Sequence, residues 1–138
     1  MYVKYVARDE PRNGEPPSIR TAEYTDPEWE DVKSFIEELD GERKTYVTLS
    51  PSIDEAAEQL FLVRAPQKGM YVCETYDGDQ YLLINPQGAS LEEPLYVGEF
   101  AFYSTKEYVG LTETLAAAKT YFEYGTRDAN LTWLNDGL

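Results

Sequence analysis

The chain of 138 residues contains no histidine. Histidine is the side chain that titrates near neutral pH without any perturbation by its surroundings. Its absence excludes the Ser-His-Asp and Cys-His arrangements of many hydrolases, and it excludes zinc sites of the usual His/Cys type. A large part of enzyme chemistry is therefore closed to this sequence.

The sequence also has little that suits an oxidising compartment or a membrane. Cys73 is the single cysteine, so no disulfide can form within the chain. A lone thiol fits a reducing cytoplasm, which is the location we expect. No apolar run approaches the roughly eighteen residues of a membrane span, and residues 1–3 do not open a signal-peptide pattern. We expect one domain over residues 1–138.

Basic residues are scarce. There are 12 lysines and arginines against 26 aspartates and glutamates, so the net charge is 12 − 26 = −14. Such a charge repels DNA, RNA and anionic lipid, because phosphate binding needs a basic surface. It attracts a basic protein partner, or it serves solubility alone. We therefore expect no direct contact with nucleic acid or membrane.

The first predicted helix follows an exposed loop, predicted over residues 8–20, and a short extended stretch. Thr25 and Glu28 match a capping box, so Thr25 or Asp26 should start the helix, and Asp40-Gly41 should end it. Its apolar stripe has helical spacing and is interpreted as core. The stripe consists of Trp29, Val32, Phe35, Ile36 and Leu39.

The last third of the chain, residues 111–133, predicts a second helix and a segment that folds back. Leu115, Ala118 and Phe122 lie three and four residues apart, on one helical face. Thr112 is the predicted N-cap, and Gly125 suits the left-handed position that ends a helix. The Leu-Thr-Trp triplet at 131–133 should then close an edge of the core.

Alternating apolar residues and turn signals predict about six or seven strands. Because the strands do not alternate regularly with helices, the sequence predicts an α+β fold: a mainly antiparallel, twisted sheet with two principal helices on one face. The predicted strands are residues 2–7, 46–50, 60–63, 70–76, 79–85, 95–103 (interrupted at Gly98) and 107–109, with an extended stretch at 21–24 and a loop at 86–94.

The clearest local signal is the Asp77-Gly78 pair between two strand patterns, which predicts a β-hairpin. A two-residue turn would place Tyr76 opposite Asp79, and a slip of one residue would exchange the two faces. The predicted core face carries Tyr71, Cys73, Leu82 and Ile84. The predicted polar and aromatic face carries Glu74, Tyr76, Asp79 and Tyr81.

Neighbouring carboxylates do not form a convincing active site. General acid–base catalysis needs two carboxyl groups in different environments, whereas these pairs are predicted on a helix exterior, in loops and at the hairpin tip. The sequence has no calcium-loop pattern, no glycine-rich phosphate loop and no nucleophile elbow. We therefore expect no enzyme, no metal and no cofactor. The pairs are Glu37/Glu38, Asp54/Glu55, Asp77/Asp79 and Glu92/Glu93.

Binding to another protein is better supported, because the chain has twelve tyrosines. Tyrosine offers a large, fairly rigid contact area with a polar tip, and it is enriched at interface hot spots. The hairpin face is the predicted docking patch; the alternative is an ordinary solvated sheet face. The predicted partner-binding residues are Glu74, Tyr76, Asp77, Asp79 and Tyr81, with Glu92, Glu93, Asp54 and Glu55 in loops at the rim.

Several short segments, taken in order, match a known family. They are Trp29, Leu39-Asp40-Gly41, Gly69, Gly98-Glu99, Glu107-Tyr108-Val109, Phe122, Gly125 and Leu131-Thr132-Trp133. From about residue 26 to residue 133 the chain resembles the first-numbered immunity protein family of bacterial polymorphic toxin systems. Its tail is similar to immunity proteins of cytidine deaminase toxins that act on DNA. Glu99 departs from the glutamine more usual at that position.

This resemblance implies a cytoplasmic antidote made beside its toxin. Such a protein binds the toxin's catalytic domain and blocks access to substrate without catalysis of its own. A toxin that handles nucleic acid should present a basic groove, to which an acidic inhibitor associates rapidly. We expect a monomer, or a one-to-one heterodimer with the toxin domain.

Two other functions are alternatives on the sequence alone. One is an acidic DNA mimic, or another protein-binding module, that acts on a nucleic-acid-binding protein; it shares the charge evidence. The other is an enzyme that uses buried carboxylates, and it requires an Asp or Glu that titrates near neutrality inside a pocket.

Overall fold

The protein is described here from a computed structural model, which covers residues 1–16, 20–56, 58–88, 90–97 and 100–135. Seven strands form one antiparallel sheet in the order β2-β1-β3-β4-β5-β6-β9, and two more pair as β7-β8. The strands are β1 (Tyr5–Asp9), β2 (Thr21–Thr25), β3 (Tyr46–Ser50), β4 (Leu60–Gln67), β5 (Met70–Tyr76), β6 (Gln80–Ile84), β7 (Ser90–Val97), β8 (Phe100–Ser104) and β9 (Thr132–Asn135).

Two α-helices accompany the sheet, α1 (Trp29–Glu37) and α2 (Leu111–Tyr124), together with a 3₁₀ turn at Thr105–Glu107. Both predicted N-caps are wrong. Glu28 caps α1 in a capping box with Asp31, where carboxylates suit the positive end of the helix dipole, and Gly110 precedes α2. The predicted end of α2 is correct, because Gly125 has the left-handed φ of +72°.

Both helices pack on the same face of the seven-stranded sheet, here called the helix-covered face. α1 contributes Val32 and Ile36, and α2 contributes Ala118 and Phe122, all buried. The strands supply every second residue, as their register requires. The buried strand residues in this core include Val6, Val47, Leu49, Phe61, Val63, Cys73 and Leu83. The α+β prediction, with two helices on one face of a mainly antiparallel sheet, is confirmed.

The predicted register of the β5–β6 hairpin is wrong by one residue. Tyr76 pairs with Gln80, and Glu74 pairs with Leu82, because the connection has three residues, Asp77 to Asp79. Gly78 takes a φ of +100° in this connection. The slip exchanges the faces of β6. Leu83 enters the core, Tyr81 joins the helix-covered face, and Leu82 and Ile84 move to the opposite, outer face.

Other segments also differ from their predictions. β1 extends through Asp9, so the first two residues of the predicted loop at 8–20 are buried strand residues. The single strand predicted at 95–103 is two strands, β7 and β8, and Gly98 and Glu99 between them lie outside the described residues. The strand predicted at 107–109 is reduced to one bridge between Val109 and Tyr71.

The closing segment, β9, is a strand of the main sheet, which the sequence did not predict. It pairs with β6, so Trp133 lies beside Leu83 and packs against the core. The indole Nε1 of Trp133 donates a hydrogen bond to the carbonyl oxygen of Asp128 at 3.0 Å. The tail therefore closes the edge of the core by continuing the sheet.

Candidate partner-binding surface

Glu74 and Tyr76 lie together on the outer face of the sheet, as predicted for the docking patch. Both side chains are half-buried. The Tyr76 hydroxyl donates to the Glu74 carboxylate. Gln80 Nε2 donates to Glu74 Oε2 and to the Tyr76 hydroxyl, both at 3.0 Å. These bonds fix the carboxylate and the ring in one arrangement before any partner arrives.

Tyr81 is separated from that pair, because the observed register pairs it with Thr75 and places it on the helix-covered face. There the guanidinium carbon of Arg127 lies 3.6 Å from the centre of the Tyr81 ring. Arg127 also forms an ion pair with Asp77 at 3.3 Å, between Nη1 and Oδ2. A cation over an aromatic face is attracted by the ring quadrupole. Arg127 thus ties the hairpin tip to the segment that follows α2.

Four segments distant in sequence meet at one end of the sheet, here called the acidic end: residues 1–4, 51–59 (without Ala57), 77–79 and 123–128. Tyr2 joins three of them. Its backbone N–H donates to the carbonyl oxygens of Phe122 at 3.1 Å and Glu123 at 3.3 Å, and its hydroxyl donates to Gln59 Oε1 at 2.9 Å. A Cβ on Gly125 would lie 2.7 Å from its ring. The hairpin tip is joined through Arg127.

The electrostatics of the acidic end place Glu55 and Asp77 near the same two tyrosines. Burial raises the pKa of the Tyr2 and Tyr121 hydroxyls, and the charges of Glu55 and Asp77 raise the pKa of both further. A carboxylate disfavours a nearby phenolate. Glu55 and Asp77, which lie more than twenty residues apart in the sequence, therefore both place negative charge near Tyr2 and Tyr121.

The predicted site residues are therefore divided among four places. Asp54, Glu55, Asp77 and Asp79 are exposed at the acidic end. Glu74 and Tyr76 lie on the outer face beside the hairpin tip, and Tyr81 lies beneath Arg127. Glu92 and Glu93 are exposed on β7, in the two-stranded sheet, so their prediction as loop residues is wrong.

A scan against protein-family models matches residues 20–135 to the family described as Immunity protein Imm1. The match runs from the residue before β2 to the last residue of β9. The chain belongs to the Imm1 family. A search of curated proteins finds no match to it. Membership of Imm1 confirms the immunity-protein family that the sequence resembles, and it indicates a toxin-neutralising protein that acts by binding.

Three parts of the acidic end fall inside the Imm1 match: residues 51–59, 77–79 and 123–128. The first segment, residues 1–4, precedes it, and yet Tyr2 is the residue through which the turn at 51–59 and the end of α2 are joined. The acidic end is therefore assembled from three segments inside the Imm1 match and one segment that precedes it.

One carboxylate of this Imm1 chain, Asp9, is fully buried. It accepts hydrogen bonds from the backbone N–H of Thr45 at 2.9 Å and of Tyr46 at 3.3 Å, and from the Thr45 hydroxyl. A carboxylate bound in this way fixes the start of β3 to the end of β1, which is a structural role. Within the described ranges no three His, Cys, Asp or Glu residues are grouped to hold a metal ion.

Two shallow grooves lie away from the acidic end. One of about 400 Å³ is lined by Ile84, Asn85, Gly110 and Leu131, among others. The other, of about 370 Å³, lies on the outer face by Tyr46, Leu62 and Arg64. Neither is lined by Asp9. In the part of the chain described, no helix is long and apolar enough to cross a membrane.

Proposed function

We propose that this Imm1 protein neutralises a cognate toxin by binding the toxin's catalytic domain and covering its active site. The family match over residues 20–135 carries the proposal. The exposed carboxylates of the acidic end support it, because Asp54, Glu55, Asp77 and Asp79 form a ready contact for a basic protein surface. The partners meet one-to-one, in the cytoplasm.

The toxin is proposed to act on nucleic acid, as a deaminase. Two features support this. The tail at Leu131-Thr132-Trp133 resembles that of immunity proteins of DNA cytidine deaminase toxins. The net charge of −14 also complements the basic groove that such an enzyme needs to hold phosphates.

Co-expression tests the proposal. The product of the adjacent upstream gene is induced in a host strain with this chain or with an empty vector. Growth is expected to stop with the vector and to continue with the chain. A harmless upstream product, or growth arrest that persists with the chain present, contradicts the proposal.

The deaminase assignment has its own test. The purified upstream product is incubated with single-stranded DNA, and conversion of cytosine to uracil is measured with and without this protein. Conversion that stops at equimolar chain supports the assignment. A toxic product that leaves cytosine intact removes the deaminase assignment and leaves the immunity function standing.

Charge reversal at the acidic end is expected to slow association with the toxin domain. Asp54→Lys with Asp79→Lys leaves the Arg127–Asp77 ion pair intact and changes two exposed side chains. Electrostatic steering raises association rates, so the double variant should associate about tenfold more slowly at low salt. Stopped-flow mixing measures the rate, and the difference should shrink at high salt because ions screen exposed charges.

The matched control reverses two exposed carboxylates near the other end of the sheet. Glu37 ends α1, and Glu42 follows Gly41, which lies against Pro66 and Gln67 at the end of β4. Glu37→Lys with Glu42→Lys makes the same change in net charge. Equal slowing in both double variants would show that total charge, rather than the acidic end, steers the encounter.

Loss of the tyrosine ring beside the hairpin tip should weaken the complex. Tyr76→Ala, or Tyr81→Ala, is expected to cost about 1–3 kcal/mol of binding free energy, as aromatic residues at an interface often do. Titration calorimetry with the toxin domain measures it. Tyr76→Phe is the control, since it keeps the ring and removes only the hydroxyl that donates to Glu74. Wild-type affinity in both alanine variants would place the interface elsewhere.

A further inference from the structure

Where the structure describes side-chain burial, large apolar side chains are exposed at few places. Among the residues that the structure describes, four stand out: Met1 (68% exposed), Ile53 (59%), Tyr124 (69%) and Leu134 (50%). The first three belong to three different segments of the acidic end. Single exposed apolar residues are normal on a surface, whereas contiguous apolar patches mark interaction sites. These three residues are of interest because their segments meet at one end of the sheet. None of the three belongs to the predicted docking patch.

Ile53 and Tyr124 are held by ordered backbone on both sides. Ile53 lies in a turn in which its carbonyl oxygen accepts from the N–H of Ala56 at 3.4 Å, and the Ser52 hydroxyl accepts from the N–H of Glu55 at 3.3 Å. Tyr124 is the last residue of α2. It is followed by Gly125, whose N–H donates to the carbonyl oxygen of Tyr121 at 2.8 Å. Preorganised contacts lose less conformational freedom on binding.

The segments that carry these apolar side chains are also rich in carboxylates. The four segments of the acidic end carry seven acidic residues and two basic ones, so their side chains sum to 2 − 7 = −5. One of the two cations, Arg127, is already paired with Asp77. The acidic residues are Asp54, Glu55, Glu58, Asp77, Asp79, Glu123 and Asp128. An apolar centre with a charged rim is the usual anatomy of a specific protein interface.

We infer that Ile53 and Tyr124, together with Met1, are the apolar centre of the surface that docks the toxin, and that the acidic residues of the same segments are its rim. The inference rests on the proposed function and adds the place of contact. The occupant is a basic face of the toxin domain, with an apolar recess for the two side chains and lysines or arginines around it.

The outer face of the sheet is the competing surface. It carries aliphatic side chains at Leu60, Leu62 and Leu82, but these are half-buried, and Leu134 is the large apolar residue that protrudes there. The outer face therefore offers one protruding side chain where the acidic end offers three. Leu134 provides a matched control, because Leu134→Ala and Ile53→Ala remove the same number of carbon atoms from exposed positions.

The test measures binding of the full chain to the purified product of the adjacent upstream gene by surface plasmon resonance. Ile53→Ala and Tyr124→Ala should each raise the Kd about tenfold, and the double variant more, through faster dissociation. Association should stay within about twofold of wild type, in contrast to the charge-reversed Asp54/Asp79 variant. Leu134→Ala should leave both rates unchanged. Circular dichroism confirms that every variant is folded.

Each outcome decides the inference. Faster dissociation confined to the Ile53 and Tyr124 variants supports it. If both bind like wild type while the wild-type chain still neutralises the toxin, the inference is overturned and the proposed function stands. If Leu134→Ala alone weakens the complex, the outer face is the docking surface and the inference is overturned. A wild-type chain that does not bind the toxin overturns both.

Discussion

Replacement of Phe122 with alanine is expected to lower the free energy of unfolding by about 3–5 kcal/mol, as for other buried aromatic side chains. Phe122 is only 1% exposed, and its ring centre lies 5.9 Å from that of Trp29 on α1. Its backbone oxygen accepts hydrogen bonds from Tyr2 and Val3, both at 3.1 Å. The cavity would therefore open between the two helices, next to the first segment of the acidic end.

Urea unfolding followed by circular dichroism measures this loss. Tyr124→Ala is the control on the same helix, two residues further on. It removes an exposed ring, so its effect on stability should stay within about 0.5 kcal/mol. A loss below about 1 kcal/mol for Phe122→Ala would show that the site collapses without a cavity and that the helix packing described here is wrong.

Asp9→Ala is expected to destabilise the fold by about 3 kcal/mol or more, because it removes a buried carboxylate that accepts several hydrogen bonds. The Asp9 carboxylate is fully buried. It accepts hydrogen bonds from the N–H and the hydroxyl of Thr45 and from the N–H of Tyr46. These bonds hold the start of β3 against the end of β1. Thermal or urea unfolding measures the change.

Asp9→Asn is the informative companion. It keeps the shape and one acceptor oxygen but replaces the other with an NH₂ group, so its cost should be smaller than that of alanine. Equal stability of wild type and Asp9→Ala would show that the hydrogen bonds of Asp9 contribute nothing. In that case the interpretation of Asp9 as a structural carboxylate would have to be abandoned.

The helices and the fold class were predictable because their signals are local. Trp29, Val32 and Ile36 share a helical face whatever the rest of the chain does, and Gly125 supplies a left-handed stop. The β6 register was not predictable from its pattern. Tyr81 with Leu83, and Leu82 with Ile84, are two alternating sets that are both apolar enough to face the core. Turn length decides between them, and Asp77-Gly78-Asp79 permits two or three residues.

The remaining features, which are β9, β7 and the acidic end, depend on contacts between residues far apart in the sequence and were therefore not predicted. β9 has only four residues and becomes a strand by pairing with β6, some fifty residues earlier. Glu92 and Glu93 looked like loop residues because β7 carries two adjacent charges. The acidic end is assembled by tertiary contacts through Tyr2, so sequence could nominate Asp54 and Asp77 but could not bring them together. Ile53 was the one visible hint, as an isolated apolar residue in a polar turn.

The central claim is that this chain binds the toxin's catalytic domain and covers its active site. Its most direct test is a calorimetric titration of the wild-type chain into the toxin domain encoded by the adjacent upstream gene, at about 50 mM and about 500 mM salt. One-to-one binding that weakens as salt rises, with toxin activity lost at the equivalence point, is expected if the acidic end covers a basic active-site face. Absence of binding heat with toxin activity intact, or tight binding that leaves the activity unchanged, would contradict the claim.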